Sequence, residues 1–595
     1  MHDLAKLIED AAATYAESTF LMFPEGKGEV RSLPYRQFGE AVRRWACFLR
    51  EQGVKPGDRV GFITPKSPHQ VLAFYASWWL GAIAVPVCEA LGDLEMGFII
   101  RDSEPTLMLT DRSMQKKVAA NSGDIPQFQF DDLPGWDGAD EDLPRHANES
   151  DDVAALIYTS GSTGMPKGVM LTHRNLQVNG TGPVEAYGVR KGERIISLLP
   201  YWHSYALVYE VIAIAIGGAT TVISKDMRDF RRNIPKYQPT IMLVVPRIAD
   251  SLKAGIEKGI ADSSPKVQAL FQKATYNASR IFTAGPRLDG GMLRILAHHA
   301  FYDPVVFRKI RKNFGGQLRF FMSGGAPLDM DSQIFFKYIG IPMFQGYGLT
   351  ESSPAISSDL PGRHKVGSAG PLWSWLLPES GGDWTLKDES GNLGKDLKGE
   401  LLVKGDCVMK GYWRHQDKSA KALVDGWLHT GDMGYVDEEG FLFLDGRQGN
   451  MIVLFGGEKL HPEHIEEEVK QCPLVTECMV IGEKCKNVYV AVNVDSDLAE
   501  GMTPDELKAQ LKKEVAERTK HLAAYQKPKE LIVLPEWSPD DGTLTVTLKI
   551  RRHKIWETYG RELREFLAGN GEEAATREDV SIASSKIMES LGRQG

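Results

Sequence analysis

Sulfur is scarce in this chain: six cysteines in 595 residues, with no CxxC pair among them. That argues against a disulfide framework, offers no zinc-ligand spacing, and suits a reducing, cytoplasmic setting. Positive charge is also short. A net charge of −9 argues against a protein that neutralises many phosphates, so no nucleic-acid partner is expected. Long apolar runs are missing too. The two most apolar windows, "VLAFYASWWLGAIAVPV" from Val71 and "VYEVIAIAIGGATTVI" from Val208, contain Gly, Pro or Glu. Both fall short of the roughly 20 residues that a bilayer span needs, and each reads as buried helix and strand. The amino terminus, "MHDLAKLIEDAAATYAEST", lacks the basic-then-apolar order of a secretion signal and reads as an amphipathic helix. No internal repeat is visible.

What the chain does have is length, an ordinary globular composition (42% hydrophobic, 25% charged) and 59 glycines. Such a length exceeds what one hydrophobic core supports, so at least two domains are expected. Short β-branched runs alternate with helical patterns, as in "RVGFITP" then "HQVLAFYASWWLGA" and "RIISLLP" then "ALVYEVIAIAIGG". That alternation predicts an α/β fold with largely parallel sheets, whose ligands sit beyond the carboxyl ends of the strands. Between Arg247 and Ser323 lies a mostly helical insertion ending in the basic run "FRKIRKNFGGQLR". From Ser374 to Gly399 the pattern suggests a small β subdomain, and after Arg447 a separate small α+β domain with a helix from Asp505 to about His521. The polar last stretch reads as a frayed tail or a loosely docked helix.

The stretch "YTSGSTGMPKG", residues 158–168, follows the apolar run "VAALIY", a predicted strand. Its glycines let backbone N–H groups approach an anion, while Thr159, Ser160, Ser162 and Thr163 add hydroxyl donors and Lys167 a charge. Taken alone, such a loop is as readily a flexible turn. The Walker pattern fails twice: counted from Gly161, the sixth position is Pro166 where that motif has Gly, and the eighth is Gly168 where it has Ser or Thr.

Its companions decide the reading. In order come "LPYWHSYALVYE", "SGGAPLD", "QGYGLTESSP", "GWLHTGDMGYVDEEGFLFLDGR" and "TLTVTLKIRRHK". With these motifs the chain resembles the adenylate-forming (ANL) superfamily, from about residue 10 to about residue 560. The resemblance implies a large N-terminal domain of wound mixed and parallel sheets plus a small β subdomain, followed by a small mobile α+β C-terminal domain. The boundaries it implies are 1–447 for AMP and acyl binding, 448–560 for the domain carrying the catalytic lysine, and 561–595 for the tail. It also implies site roles. Thr159, Ser160, Gly161, Ser162, Thr163, Gly164 and Lys167 would cradle the ATP phosphates, with Thr350 at the α-phosphate and Glu351 holding Mg²⁺. Gly324, Gly325, Ala326, Gly346 and Tyr347 would receive adenine, Asp432 and Arg447 the ribose, and Lys549 would act in adenylation. Trp202 and His203 would gate the acyl site, although a core histidine is an equal reading of His203.

Two departures stand out. Gly449 and Asn450 occupy hinge positions where the family carries charged residues, and Val546 replaces a usual proline before the lysine. The long helical insertion resembles long-chain fatty acyl-CoA synthetases of the AMP-forming type more than aryl or amino-acid activators. The resemblance thus implies an ATP-dependent fatty acid–coenzyme A ligase, with ATP and Mg²⁺ required and coenzyme A as substrate. Acyl carrier protein is the alternative acceptor, and a non-catalytic nucleotide or acyl sensor on the same fold is the alternative function. The basic residues Arg308, Lys309, Arg311 and Lys312 would suit coenzyme A phosphates, an acidic carrier or peripheral contact with an anionic membrane, but a solvated helix face explains them at least as well. Cys472, Cys478 and Cys485 are expected to pack as small hydrophobes.

Overall fold

The computed structural model describes residues 2–25, 29–159, 165–283, 301–376 and 380–572. Two large sheets form the N-terminal domain. One has the strand order Ser357–Ser358, Met343–Tyr347, Phe320–Ser323, Ile241–Val244, Arg194–Ser197, Thr220–Ile223, Thr19–Glu25, Glu29–Pro34, with antiparallel pairs only at its two ends. The other runs Gly411–Tyr412, Lys167–Thr172, Val153–Thr159, Ile83–Pro86, Arg59–Ile63, Leu107–Thr110, Gln127–Gln129, and is parallel from Val153–Thr159 onward. The parallel strands are short and almost continuously buried, as strands covered on both faces must be.

Both apolar windows fold as expected. The first becomes the helix Pro68–Trp79 and the strand Ile83–Pro86. The second becomes a helix with a π-helical segment, Leu207–Ile212, followed by the strand Thr220–Ile223. Their side chains join a core in which Trp45, Trp78, Tyr35 and Tyr75 are fully buried. The amphipathic helix Leu4–Thr14 docks on the same core through Leu4, Ala5, Ile8 and Ala11. In the insertion the described residues include the helices Pro246–Ala261 and Pro265–Thr283 and the short helix Arg308–Lys312. Within that basic run Arg311 is committed to Asp303 at 2.7 Å, while Arg308, Lys309 and Lys312 are exposed.

The β subdomain is a six-stranded antiparallel sheet built on Lys398–Lys404 and Trp427–Val436, and its edge strand Leu442–Arg447 leads to the 3₁₀ turn Gln448–Asn450. Beyond this turn lies a three-stranded sheet, Val475–Ile481, Val488–Val494 and Pro528–Val533, flanked by the helices Pro462–Lys470 and Pro504–Arg518. The second helix starts where sequence predicts, with Thr503 and Glu506 as a capping box. Cys472, Cys478 and Cys485 are buried here and free, as expected of small hydrophobes.

The expected tail begins later than residue 561. The helix Arg552–Gly569 carries Leu563 and Leu567 into the domain core, and buried Glu572 accepts bonds from Tyr489 Oη (2.7 Å) and Lys486 N (2.7 Å). The last 23 residues of the expected tail lie outside the described residues. Among the described residues, no helix is long and apolar enough to cross a membrane.

Candidate active site

The candidate residues gather where the parallel strands end. Thr159 closes Val153–Thr159, Gly324 follows Phe320–Ser323, Tyr347 closes Met343–Tyr347, and Trp202 and His203 follow Arg194–Ser197. This is the carboxyl-end crevice in which α/β sheets bind ligands. Thr159 and Lys167 are paired in antiparallel register, so the strands on either side of the glycine-rich stretch pair with each other, unlike the strand and helix that flank a Walker loop. Ser160, Gly161, Ser162, Thr163 and Gly164 lie outside the described residues.

Glu351 sits on a single 3₁₀ turn, Thr350–Ser352, whose position is fixed from behind. Fully buried Asn179, on the helix His173–Tyr187, donates to Ser352 O (3.0 Å) and accepts from Ala355 N (3.0 Å). One turn earlier on that helix, Asn175 donates to Asp406 O and Val408 O at 2.8 and 2.9 Å, anchoring the loop that leads to Tyr412. The turn and the loop then meet: Met409 N donates to Glu351 O at 2.9 Å, and Tyr412 Oη donates to Glu351 Oε1 at 2.8 Å. Lys167 Nζ stands 4.4 Å from the centre of the Tyr412 ring. Burial lowers the Lys167 pKa while Glu351 opposes that shift, and burial and Glu351 together raise the Tyr412 hydroxyl. Tyr412 and its anchors escaped the sequence reading. The only signal was an aromatic beside Gly411, in a stretch with no phosphate-binding pattern.

Asp432, almost fully buried on Trp427–Val436, accepts from Tyr347 Oη (2.7 Å) and from Arg447 Nε (2.9 Å). Adenine-candidate and ribose-candidate residues are thus joined through one carboxylate. Gly325 has φ +87°, a left-handed conformation that favours glycine, and a Cβ at Gly348 would lie 1.8 Å from Pro354 O. Gly325 and Gly348 are therefore backbone requirements of this wall. Gly346 and Ala326 complete it.

Lys549 reaches the same cleft from the C-terminal domain. Its pKa is lowered, first by desolvation and next by Arg447, while Asp432 and Glu351 oppose the shift. His203 also feels Lys549. Burial is the larger cause that brings its pKa down to about 4, and its Nδ1 accepts from Tyr205 N at 3.2 Å. The neutral ring therefore carries its proton on Nε2. Trp202 donates its indole N–H to Glu89 Oε2 at 3.1 Å, a partner the sequence reading missed because Glu89 lies in no motif.

Does this cleft fit a magnesium nucleotide? Among the described residues no cluster of three or more His, Cys, Asp or Glu side chains could cage a metal. A lone hard carboxylate such as Glu351 suits Mg²⁺, which is held by one or two carboxylates together with substrate phosphates. The flanking cations Lys167, Arg447 and Lys549 suit the phosphates themselves.

Comparison with known proteins gives the same picture. A family model described as "AMP-binding enzyme" matches residues 8–413, and one described as "AMP-binding enzyme C-terminal domain" matches 449–570. A long-chain-fatty-acid–CoA ligase of Mycobacterium bovis is 28% identical over 88% of this chain and 90% of its own. A putative fatty-acid–CoA ligase of Mycobacterium tuberculosis is 32% identical over 78% of this chain and 79% of its own. A chloroplastic long-chain-fatty-acid–[acyl-carrier-protein] ligase of Arabidopsis thaliana is 26% identical over 93% and 85%. Among solved structures, the O-succinylbenzoate coenzyme A synthetase of Bacillus subtilis in complex with AMP superposes with a TM-score of 0.70, at 24% identity over 92% of this chain and 97% of its own. The chain belongs to the AMP-binding, adenylate-forming superfamily, and it is an acid–thiol ligase of the kind that proceeds through an acyl-adenylate.

Proposed function

We propose that this protein activates a long-chain fatty acid with ATP and passes the acyl group to the thiol of coenzyme A. The observation that carries the reading is the convergence of Lys549 with Arg447, Asp432 and Glu351 across the domain boundary. In the first step a carboxylate oxygen of the acid bonds to the α-phosphorus, and the bond from that phosphorus to the bridging oxygen breaks, releasing pyrophosphate. In the second step the thiolate sulfur bonds to the acyl carbon, AMP departs with the electron pair of the C–O bond, and the thiol proton passes to solvent.

Neither step needs a covalent enzyme nucleophile; both need positioning and charge stabilisation. Asp432 orients the ribose, Tyr347 and residues 324–326 hold the base, and Lys167 takes the outer phosphates. Lys549 stabilises charge on the carboxylate and α-phosphate oxygens, and Thr350, next to Glu351 in the chain, reaches the α-phosphate. Magnesium, held by Glu351 and the phosphates, would withdraw charge from the leaving pyrophosphate. Trp202 and His203 stand where the acyl group would enter. Gly449 and Asn450 form the pivot between the half-reactions, and Asn450 already grips Glu463 of the small domain at 2.5 Å.

The long-chain assignment leans on the two mycobacterial relatives and on the helical insertion. It is tested by palmitate-dependent exchange of labelled pyrophosphate into ATP with Mg²⁺ and no thiol, followed by addition of coenzyme A or acyl carrier protein in parallel. Exchange followed by palmitoyl-CoA is the expected result. Thioester formed on carrier protein alone would reassign the acceptor, and no exchange with any acid would leave a sensor.

A further inference from the structure

Outside the nucleotide cleft, two adjacent contacts fasten the lysine loop to the large domain, and the chemistry above uses neither. The loop is a tight hairpin. Leu544 and Ile550 form an antiparallel bridge, Thr545 N donates to Lys549 O at 2.8 Å, and Leu548 turns the chain with φ +62°. Lys549 N donates to Thr545 Oγ1 at 3.0 Å, so the direction of its side chain follows the hairpin as a unit. At the hairpin's base Arg551 N donates to Thr543 O at 2.8 Å, and the Arg551 guanidinium reaches Glu95 Oε1 at 2.9 Å. Glu95 belongs to the helix Asp93–Ser103 of the large domain.

This pair is well shielded, with side-chain exposures of 12% for Arg551 and 24% for Glu95. The other ion pair across the boundary among the described residues, Lys459 with Glu389, is 46% and 64% exposed, the class whose members contribute little. Next to Glu95, fully buried Met96 belongs to an apolar cluster that also takes in Leu156, Trp202, Trp413 and, from the loop, Val546. Val546 is the only member of that cluster, among the described residues, that comes from beyond the hinge.

We propose that Glu95, Arg551 and Val546 form a docking clasp that positions Lys549 in the cleft and governs how readily the small domain leaves it. The proposal rests on the adenylation reading for its kinetic consequence, while its structural half stands on the ion pair alone. Glu95 and Arg551 touch no reacting atom and are positioning residues. Their effect on Lys549 is steric and directional, because a misplacement of about 1 Å at such a group can cost about a hundredfold.

The test separates the half-reactions and adds a readout that needs no substrate. Glu95→Gln and Arg551→Gln should each slow pyrophosphate exchange about tenfold, while thiolysis of chemically supplied palmitoyl-adenylate stays within about twofold of the wild type. The charge swap, Glu95→Arg with Arg551→Glu, should restore most of the exchange. In the absence of any ligand, trypsin cleavage after Arg447 in the hinge should be about threefold faster in the single variants and return toward the wild-type rate in the swap. Equal loss in both half-reactions, unchanged exchange, or a swap no better than the singles would overturn the clasp. If the wild type shows no exchange with any acid, the functional reading fails while the cleavage rates still decide the clasp: equal rates in all variants would reject it.

Discussion

At the residue scale the site is a set of charges held against burial. In the proposed adenylation Lys549 is the group whose loss bears most directly on chemistry, since there it would act where negative charge gathers during attack on phosphorus. Lys549→Ala should lower pyrophosphate exchange by about 10²–10³-fold, the usual cost of removing one such donor, with ATP binding by calorimetry largely retained. His203 is a poor proton switch, because protonation sets in only toward about pH 4. Asp359 behaves in the opposite sense. It is buried beside the strand Met343–Tyr347, where it accepts from Gln345 N and Lys365 N, and burial raises its pKa from 3.8 to about 7. A carboxyl whose folded pKa stands above its unfolded value adds stability below the unfolded pKa and loses it as pH rises through the folded one. Thermal melts of Asp359→Asn and wild type should therefore diverge between about pH 4 and pH 7, with the variant gaining on the wild type as pH rises.

At the element scale one helix and one π-helical segment do most of the placing. Helix His173–Tyr187 fixes both the Glu351 turn and the Tyr412 loop through Asn179 and Asn175, which is why two motifs far apart in the chain meet with hydrogen-bond geometry. Near Trp202 and His203, Glu210 lies in the π-helical segment with no exposed surface. It is paired with Lys66 Nζ at 3.1 Å and bonded to Ser197. Lys66 also bonds Leu199 O and faces the Tyr201 ring at 4.3 Å, so the pair braces the segment that carries Trp202 and His203. Burial lowers the Lys66 pKa and raises that of Glu210. Breaking such a pair leaves an uncompensated buried charge, whereas replacing both partners can be nearly neutral. Lys66→Met should cost about 3–5 kcal/mol of stability in denaturant unfolding, and Lys66→Met with Glu210→Leu should recover most of it.

At the scale of the whole molecule the question is how two domains share one cleft. The small domain has its own core, built on Ile465, Val480, Val490 and their neighbours, as the proposed rotation of that domain as a body requires. Gly449 lies exposed in the 3₁₀ turn Gln448–Asn450, and a Cβ added there meets nothing within 4 Å. Space is thus no obstacle to a side chain; the glycine's contribution is conformational freedom. Gly449→Ala should leave pyrophosphate exchange within about twofold and slow the thiol step several-fold in single-turnover measurements, because alanine restricts the rotation while fitting the arrangement seen here. Equal effects on both steps would remove the hinge assignment.

The sequence determined what local chemistry can carry. Periodicity set the strands and helices, glycines marked the walls that a Cβ would obstruct, and ordered motifs announced Lys167, Glu351, Asp432, Arg447 and Lys549 as a set. These signals are legible because they reside within a few neighbouring residues. Only the tertiary structure decided the partners: Tyr412 for Glu351 across 61 positions, Tyr347 for Asp432 across 85, and Glu95 for Arg551 across 456. It also decided that the chain past residue 560 docks through Leu563, Leu567 and Glu572 and so belongs to the small domain. A charged or aromatic residue outside a motif looks the same in sequence whether it faces water or a carboxylate. Its role exists only once the backbone brings the distant partner within hydrogen-bond reach and burial removes the competing water.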